Sequence, residues 1–325
     1  MMRTFAYVRA SSLNDAIRQL GADGACAHSG GTDLVGCLRD GVMSAKTVVS
    51  LSGLKELRGM TATVDGGLRI GALTTIAEVA ADPIVRQKYA ALAEASGVIA
   101  SPQLRNQGTI GGNLNQRPRC WYFRGDYVCT RKGGDTCYAM DGENQYHAVF
   151  GGGACVIVHP SDTAPALVAL DASVRTAGPT GERTIPVEKF FVLPEVDVLK
   201  ETVLEPGEIV TEVVLPAPPA GVKSSYRKVR ARQSWDFALV GVALAVSFRP
   251  DRRVDRARVV FSGVAPVPWR SAAVEKAITG QRLDARTIGR AAEAAVVGAT
   301  PLEKNGYKLP MLRGAVEEAL GRIGA

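Results

Sequence analysis

Four of the six cysteines fall in one short stretch, spaced as Cys120-x8-Cys129-x7-Cys137-x17-Cys155. Thiolates in that number suit zinc or an iron–sulfur cluster. No pair has the CxxC spacing of zinc ribbons. The start of the chain, Met1 to Ala10, lacks the apolar core of a signal peptide, and clustered cysteines in such a chain point to ligation before disulfides. Arg117, Arg119, Arg124, Arg131 and Lys132 interleave with the thiols. They would offset the negative charge of a four-thiolate centre, or form the solvated face of a loop. Trp121, Tyr122 and Phe123 either shield a centre or pack the segment onto its domain. Cys26 and Cys37 stand apart, in apolar or helical patterns, and read as small buried hydrophobes. His28 and His147 read as hydrogen-bonding loop residues, and His159 as a shaper of the turn that holds Asp162.

Two glycine motifs supply a second kind of chemistry. In Ser29-Gly30-Gly31-Thr32-Asp33-Leu34 the paired glycines let successive N–H groups converge on one anion, and Thr32 adds a hydroxyl donor. A helix start just beyond them adds partial positive charge, which suits a pyrophosphate. Thr109-Ile110-Gly111-Gly112-Asn113-Leu114 is a second turn of the same type, with Ile110 placed to pack on a flat ring. Each motif alone reads equally as a tight turn with a helix cap. Neither fits GxGxxG or the P-loop, so nicotinamide and ATP sites are not favoured.

The elements around these motifs set the fold class. Residues 11–21 form a helix pattern opened by Ser11 or Ser12 and closed by Gly21. Segments 47–54 and 67–73 read as strands, and 75–80 and 89–96 as helices. Residues 120–146 lack periodicity and read as a loop insertion that something must order. From Ala154 to Thr176 the pattern predicts a strand, a turn, a short helix and a strand. Prolines and glycines thicken from Gly178 to Pro219, and a domain junction is expected near 178–184. Beyond it lie three antiparallel strands, helices over 271–279 and 287–297, and a terminal helix over 309–323. Helices and strands do not alternate regularly, which predicts an α+β chain.

Bulk properties exclude other classes. The 39 Lys+Arg against 32 Asp+Glu give a charge of +7 spread along the chain. No basic stripe or nucleic-acid motif accompanies it, so no nucleic acid is expected as a partner. No run reaches the roughly 18 apolar residues of a membrane span. The chain shows no export signal of its own. Cytoplasmic assembly is expected, with a periplasmic destination if a partner subunit carries the signal.

In order along the chain, AHSGGTDL, LRNQGTIGGNL, HPSDTAPALVALDA, YRKVRARQSWDFALV and YKLPMLRGAVEEAL resemble the FAD-binding subunits of the xanthine dehydrogenase (molybdenum hydroxylase) family. The resemblance covers almost the whole chain. It implies a vanillyl-alcohol-oxidase-type FAD-binding domain in two subdomains over residues 1–178, with a cysteine-rich insertion at about 117–156. A smaller C-terminal domain of antiparallel sheet and helices follows over 184–325. Carried onto this sequence, the FAD site takes in Cys26, Ala27 and His28, then Ser29, Gly30, Gly31, Thr32, Asp33 and Leu34 around the pyrophosphate. It adds Ser101, Thr109, Ile110, Gly111, Gly112 and Asn113, with Asp162 bonding a hydroxyl and Lys228 near the cofactor from the C-terminal domain. Ser29 stands where many relatives have alanine.

Most members of that family lack the insertion. The run RCWYFR, two further cysteines and HA…G…C…HPSD resemble the FAD subunits of bacterial periplasmic aldehyde oxidoreductases. The cysteine spacings of 4-hydroxybenzoyl-CoA reductase subunits differ. That resemblance implies a 4Fe-4S cluster on Cys120, Cys129, Cys137 and Cys155. It also implies partners: a molybdopterin-binding large subunit and a small subunit with two 2Fe-2S clusters, in a heterotrimer. Electrons would pass from the two-iron clusters to FAD and on to an external acceptor. No acid–base catalyst is expected in this chain. The alternative reading is a stand-alone flavin-dependent reductase of the same fold, for which no substrate-protonating residue stands out.

Overall fold

The computed structural model describes residues 2–324. The chain is α+β throughout, in an N-terminal domain of two subdomains and a C-terminal domain. The first subdomain is a small parallel sheet in which β3 (Thr47–Ser50) lies between β1 (Ala6–Arg9) and β2 (Ala25–His28). Between β1 and β2, α1 (Leu13–Leu20) begins where Ser12 accepts from the Asp15 N–H, as the sequence predicts. It buries Ala16 and lays Leu13, Ile17 and Leu20 on the core. After β2 the chain turns through the first glycine motif into α2 (Leu34–Arg39).

The second subdomain is a five-stranded antiparallel sheet covered by helices. Its strands β4 (Met60–Ala62) and β5 (Leu68–Gly71) precede α3 (Ile76–Ala81), which opens with a capping box of Thr75 and Glu78. Helices α4 (Pro83–Lys88), α5 (Ala90–Gly97), α6 (Pro102–Gln107) and α7 (Ile110–Leu114) follow. A four-residue helix, α8 (Trp121–Arg124), opens the cysteine segment, and α9 (Thr163–Ala169), wholly buried, closes it. The sheet is completed by β6 (Ser173–Gly178), β7 (Gly181–Pro186) and β8 (Ile209–Leu215), in the order β4-β5-β8-β6-β7.

Residues 178–184 are no domain junction: Gly178 pairs with Gly181 across the turn of the β6–β7 hairpin, and β8 then inserts beside β6. A Gly-Pro turn and a linker share one composition, so the sequence could not separate them. The boundary lies after β8, in the segment that carries Pro216, Pro218 and Pro219. Nor is Ala154–Val158 a strand; Val156 accepts from the Ala148 N–H and the segment runs along the cysteine pocket.

The C-terminal domain is a four-stranded antiparallel sheet, β9 (Lys223–Val229), β10 (Val240–Phe248), β11 (Val254–Ser262) and the short edge β12 (Trp269–Arg270). β10 is buried on both faces, which explains its unbroken apolar run. One face of the sheet meets the N-terminal core through Tyr226, Ala243, Ala245 and Val260. The other packs on α10 (Ala272–Ile278), α11 (Ala285–Ala294) and α12 (Lys308–Gly324) through Val242, Leu244, Val246 and Leu320. No described helix is long and apolar enough to cross a membrane.

Candidate functional site

The first glycine motif leaves β2 and sits directly against the loop between α6 and α7. A Cβ on Gly30 would lie 2.0 Å from the Gln107 carbonyl oxygen, so only glycine permits this approach. Gly31 has φ +70°, and a Cβ there would also meet His28 Nε2 at 2.6 Å. Gln107 Nε2 donates to the Gly30 carbonyl at 3.2 Å, and the Ser29 and Thr109 hydroxyls bond each other at 3.0 Å. The two motifs, 80 residues apart, are thus one structure. Among the described residues, the N–H groups of Gly30, Gly31, Thr32 and Asp33 donate to no protein acceptor. Four consecutive donors without protein acceptors, in a turn with a left-handed glycine, are what an anion nest requires.

Of the two readings of the second motif, the structure shows the capped turn. It is not a nest but the helix α7, capped by Thr109. The N–H groups of Ile110, Gly111, Gly112 and Asn113 go to Thr74, Ala72, the Thr109 hydroxyl and the Thr109 carbonyl. Ile110 is fully buried in the core and offers no face to a ring. The pattern TIGG could not distinguish a nest from a helix cap, because both begin with a hydroxyl residue before glycines.

A groove runs from the nest in two directions. One wing is apolar, with Cys26, Ala27, Leu34, Met43, Leu51 and Val210. The other passes Thr109, Gly112 and Asn113 into the cleft between the domains, where Asp162, Trp235 and Phe237 line it. Past Pro160 and Asp162 it continues to Arg119, Cys120, Trp121 and His147. Ser101, His28 and Lys228 do not line it. Ser101 caps α6, His28 backs Gly31, and Lys228 is buried behind Asp162. Trp235 and Phe237 lie within the QSWDF run, where nothing in the local pattern marks them as groove residues, and Arg119 reaches the groove instead of only the cysteines or solvent.

Asp162 and Lys228 bond each other. Lys228 Nζ donates to Asp162 Oδ2 at 2.8 Å, and the Tyr226 hydroxyl donates to Oδ1 at 2.7 Å. Lys228 also donates to the Asp236 carbonyl at 2.7 Å. Burial, with the Asp162 carboxylate beside it, raises the Tyr226 hydroxyl pKa well above the usual phenol value. His159 is buried and its ring is pushed down to about 3 by that burial, so it stays neutral.

The four cysteines of the segment line a single pocket, with Tyr122, Phe123, Tyr138, Val156 and Ile157. None is in a disulfide. Cys129 and Cys155 are buried, and burial pushes the Cys120 thiol up to about 11. Such thiols ionise only beside a cation. Arg131, 3% exposed, points Nε at Cys155 Sγ at 3.5 Å and pairs with Glu201 at 2.9 Å. His147 Nε2 lies 3.1 Å from Cys120 Sγ. Among the described residues, no group of three or more His, Cys, Asp or Glu side chains is arranged to hold a single metal ion. The four thiols converge on one largely apolar pocket, and four thiolates are a donor set for a soft metal centre.

The remaining cations do not surround the thiols as expected. Lys132 donates to the Gly125 carbonyl, and Arg117 pairs with Glu201. Arg119 and Arg124 both turn to Asp33. Cys37 accepts from Arg124 at 3.0 Å and lies outside the thiol pocket, as does Cys26.

Residues 3–218 match the family described as the FAD binding domain in molybdopterin dehydrogenase, and residues 224–320 match the CO dehydrogenase flavoprotein C-terminal domain. The chain is 40% identical over 279 residues to the aldehyde oxidoreductase FAD-binding subunit PaoB of Escherichia coli (strain K12), covering 84% of this chain and 86% of that one. It is 27% identical over 323 residues to the carbon monoxide dehydrogenase medium chain of Hydrogenophaga pseudoflava, covering 97% and 96%. The solved structure of carbon monoxide dehydrogenase from that organism, lacking the Mo-pyranopterin moiety, superposes with a TM-score of 0.79 at 26% identity, over 99% of this chain and 98% of that one.

Proposed function

The chain belongs to the FAD-binding subunits of the molybdenum hydroxylases, and from that premise we propose that it carries FAD and a 4Fe-4S cluster in an aldehyde-oxidising heterotrimer. The partners on this reading are a molybdopterin-binding large subunit and a small subunit with two 2Fe-2S clusters. The aldehyde assignment follows the 40% identity to the aldehyde oxidoreductase subunit.

The observation that carries the reading is the nest of Gly30, Gly31, Thr32 and Asp33, whose four N–H groups lack protein acceptors and open onto the groove. They bind the diphosphate. The Thr109 hydroxyl and Gly112 would stand beside it, and Asn113, Asp162 and Phe237 line the interdomain wing that would hold the rest of the cofactor. The apolar wing takes the adenosine. Bound FAD supplies one- and two-electron redox chemistry. The protein binds and orients it, and the domain interface excludes water from the buried side.

Cys120, Cys129, Cys137 and Cys155 hold the cluster, which supplies one-electron redox chemistry. Arg131 and His147 place donors against two of the sulfurs. The insertion has too few apolar residues to fold alone, so the cluster is also its staple. Electrons leave to an external acceptor.

Purified anaerobically, the chain should show flavin bands, a broad cluster absorption and about four irons. Cys129→Ser should lose the iron, and Cys37→Ser should keep it. A colourless chain after reconstitution with FAD, iron and sulfide would sink the proposal.

A further inference from the structure

Asp33 belongs to the nest by its N–H and to the cysteine segment by its side chain. It is the N-cap of α2, and aspartate is among the best capping residues, yet its carboxylate makes no cap bond. Instead it accepts from the Arg117 N–H at 2.7 Å, from Arg124 Nη2 at 2.8 Å and from Arg119. Burial pushes its carboxyl up, but Arg119 and Arg124 outweigh this and hold it below the usual carboxylate range. Arg124 ends α8, whose N-cap is Cys120, and its own N–H donates to the Cys120 carbonyl at 2.9 Å. The backbone of a pocket cysteine and the nest are therefore joined through Arg124 and the Asp33 side chain.

Asp33 has two physically reasonable arrangements. With residues 117–124 fixed, the carboxylate is drawn away from the nest and neutralised by two guanidinium groups. With that segment loose, the carboxylate loses both guanidinium partners, and its uncompensated negative charge stays beside the N–H groups where a diphosphate would bind. Resting on the reading above, we propose that Asp33 is a positioning residue that couples the two cofactors: loading the thiol pocket fixes Arg119 and Arg124, and these hold Asp33 so that the nest accepts FAD. The coupling is reciprocal for equilibrium binding.

The test compares FAD affinity, by flavin fluorescence, of the full chain with and without iron in two backgrounds. In the wild type, removing iron through Cys129→Ser should weaken FAD about tenfold. In Asp33→Asn, which lacks the charge, the same change should weaken FAD less than about twofold. Arg124→Met, checked for retained iron and native circular dichroism, should reproduce the wild-type weakening with the cluster still in place. Equal penalties in both backgrounds, or no penalty in either, overturn the coupling and leave the cofactor assignment standing. A wild-type chain that binds FAD but never iron overturns the cluster assignment and the coupling together.

Discussion

The Lys228 ammonium of β9 and the Asp162 carboxylate at the start of α9 meet at 2.8 Å across the boundary between the two domains, and both side chains are almost fully buried. With Tyr226 and Ser262 they form one hydrogen-bonded unit. The pair holds the C-terminal sheet against the helix that backs the groove. It fixes Asp162, and through the bond from Lys228 to the Asp236 carbonyl it also anchors the loop bearing Trp235 and Phe237.

Removing one partner leaves a buried charge uncompensated. Lys228→Met should destabilise the chain by about 3–5 kcal/mol. Urea unfolding measures this, and the double variant Asp162→Asn/Lys228→Met should lose less than the sum of the singles. Additive losses would mean that the pair does not act as a unit.

The glycine contact makes a sharper prediction about cofactor content. Gly30→Ala places a methyl 2.0 Å from the Gln107 carbonyl, so the two loops must part and the nest must open. The variant should fold with its iron retained but with FAD weakened by about a hundredfold, a loss of two or more nest donors at 1–1.5 kcal/mol each. Flavin per chain after gel filtration is the readout, and full flavin content would show that the nest does not bind it.

How far these relationships were legible depends on what each residue's partner is. The cap at Ser12, the capping box at Thr75 and the runs of β9, β10 and β11 are local in sequence, and the expected elements appear where the pattern put them. The four pocket cysteines stood out because thiol clustering is a compositional signal. The pairing of Asp33 with Arg119 and Arg124 spans more than 80 residues, and that of Asp162 with Lys228 spans 66, so no local pattern encodes them. For the same reason the sequence offers the arginines only the nearby thiolates or solvent as partners, while the fold gives two of them to Asp33. Ile110 and the hairpin at Gly178–Gly181 failed differently: helix cap and nest, or turn and linker, use the same residues.

His159 gives the stability a pH dependence of known sign. Unfolded, its imidazole titrates near 6.5, and in the fold burial pushes it down to about 3. Above that upper value both states are neutral and the ring adds no pH dependence. Below it the unfolded chain takes up a proton that the folded chain refuses, so stability falls as pH drops toward 3. The ring packs edge-on to Phe191 at 4.4 Å, which makes His159→Phe the natural replacement. Relative to its own stability at pH 8, the variant should lose about 2 kcal/mol less than the wild type at pH 5. Parallel pH profiles for the two proteins would show that the buried ring is not responsible.

Lys308 ties the end of the cysteine segment to the C-terminal domain. Its Nζ is fully buried and donates to the carbonyls of Tyr146, His147 and Gly263 at 2.9, 3.0 and 2.6 Å. Asn305 adds bonds to the His147 and Ala148 carbonyls, and Tyr307 one to Gln145. The four thiols thus do not alone order residues 143–148; the first turn of α12 and the residues before it hold their backbone. Lys308→Met keeps the length of the side chain but leaves three buried carbonyls without their donor, at about 1–3 kcal/mol for each unsatisfied group. Amide exchange over 143–148 should therefore accelerate by at least about tenfold, while β10 and β11 exchange nearly as before. Unchanged exchange in that segment would assign its order to the thiol pocket alone, and faster exchange throughout the sheet would make Lys308 a core residue of the C-terminal domain instead of a clasp.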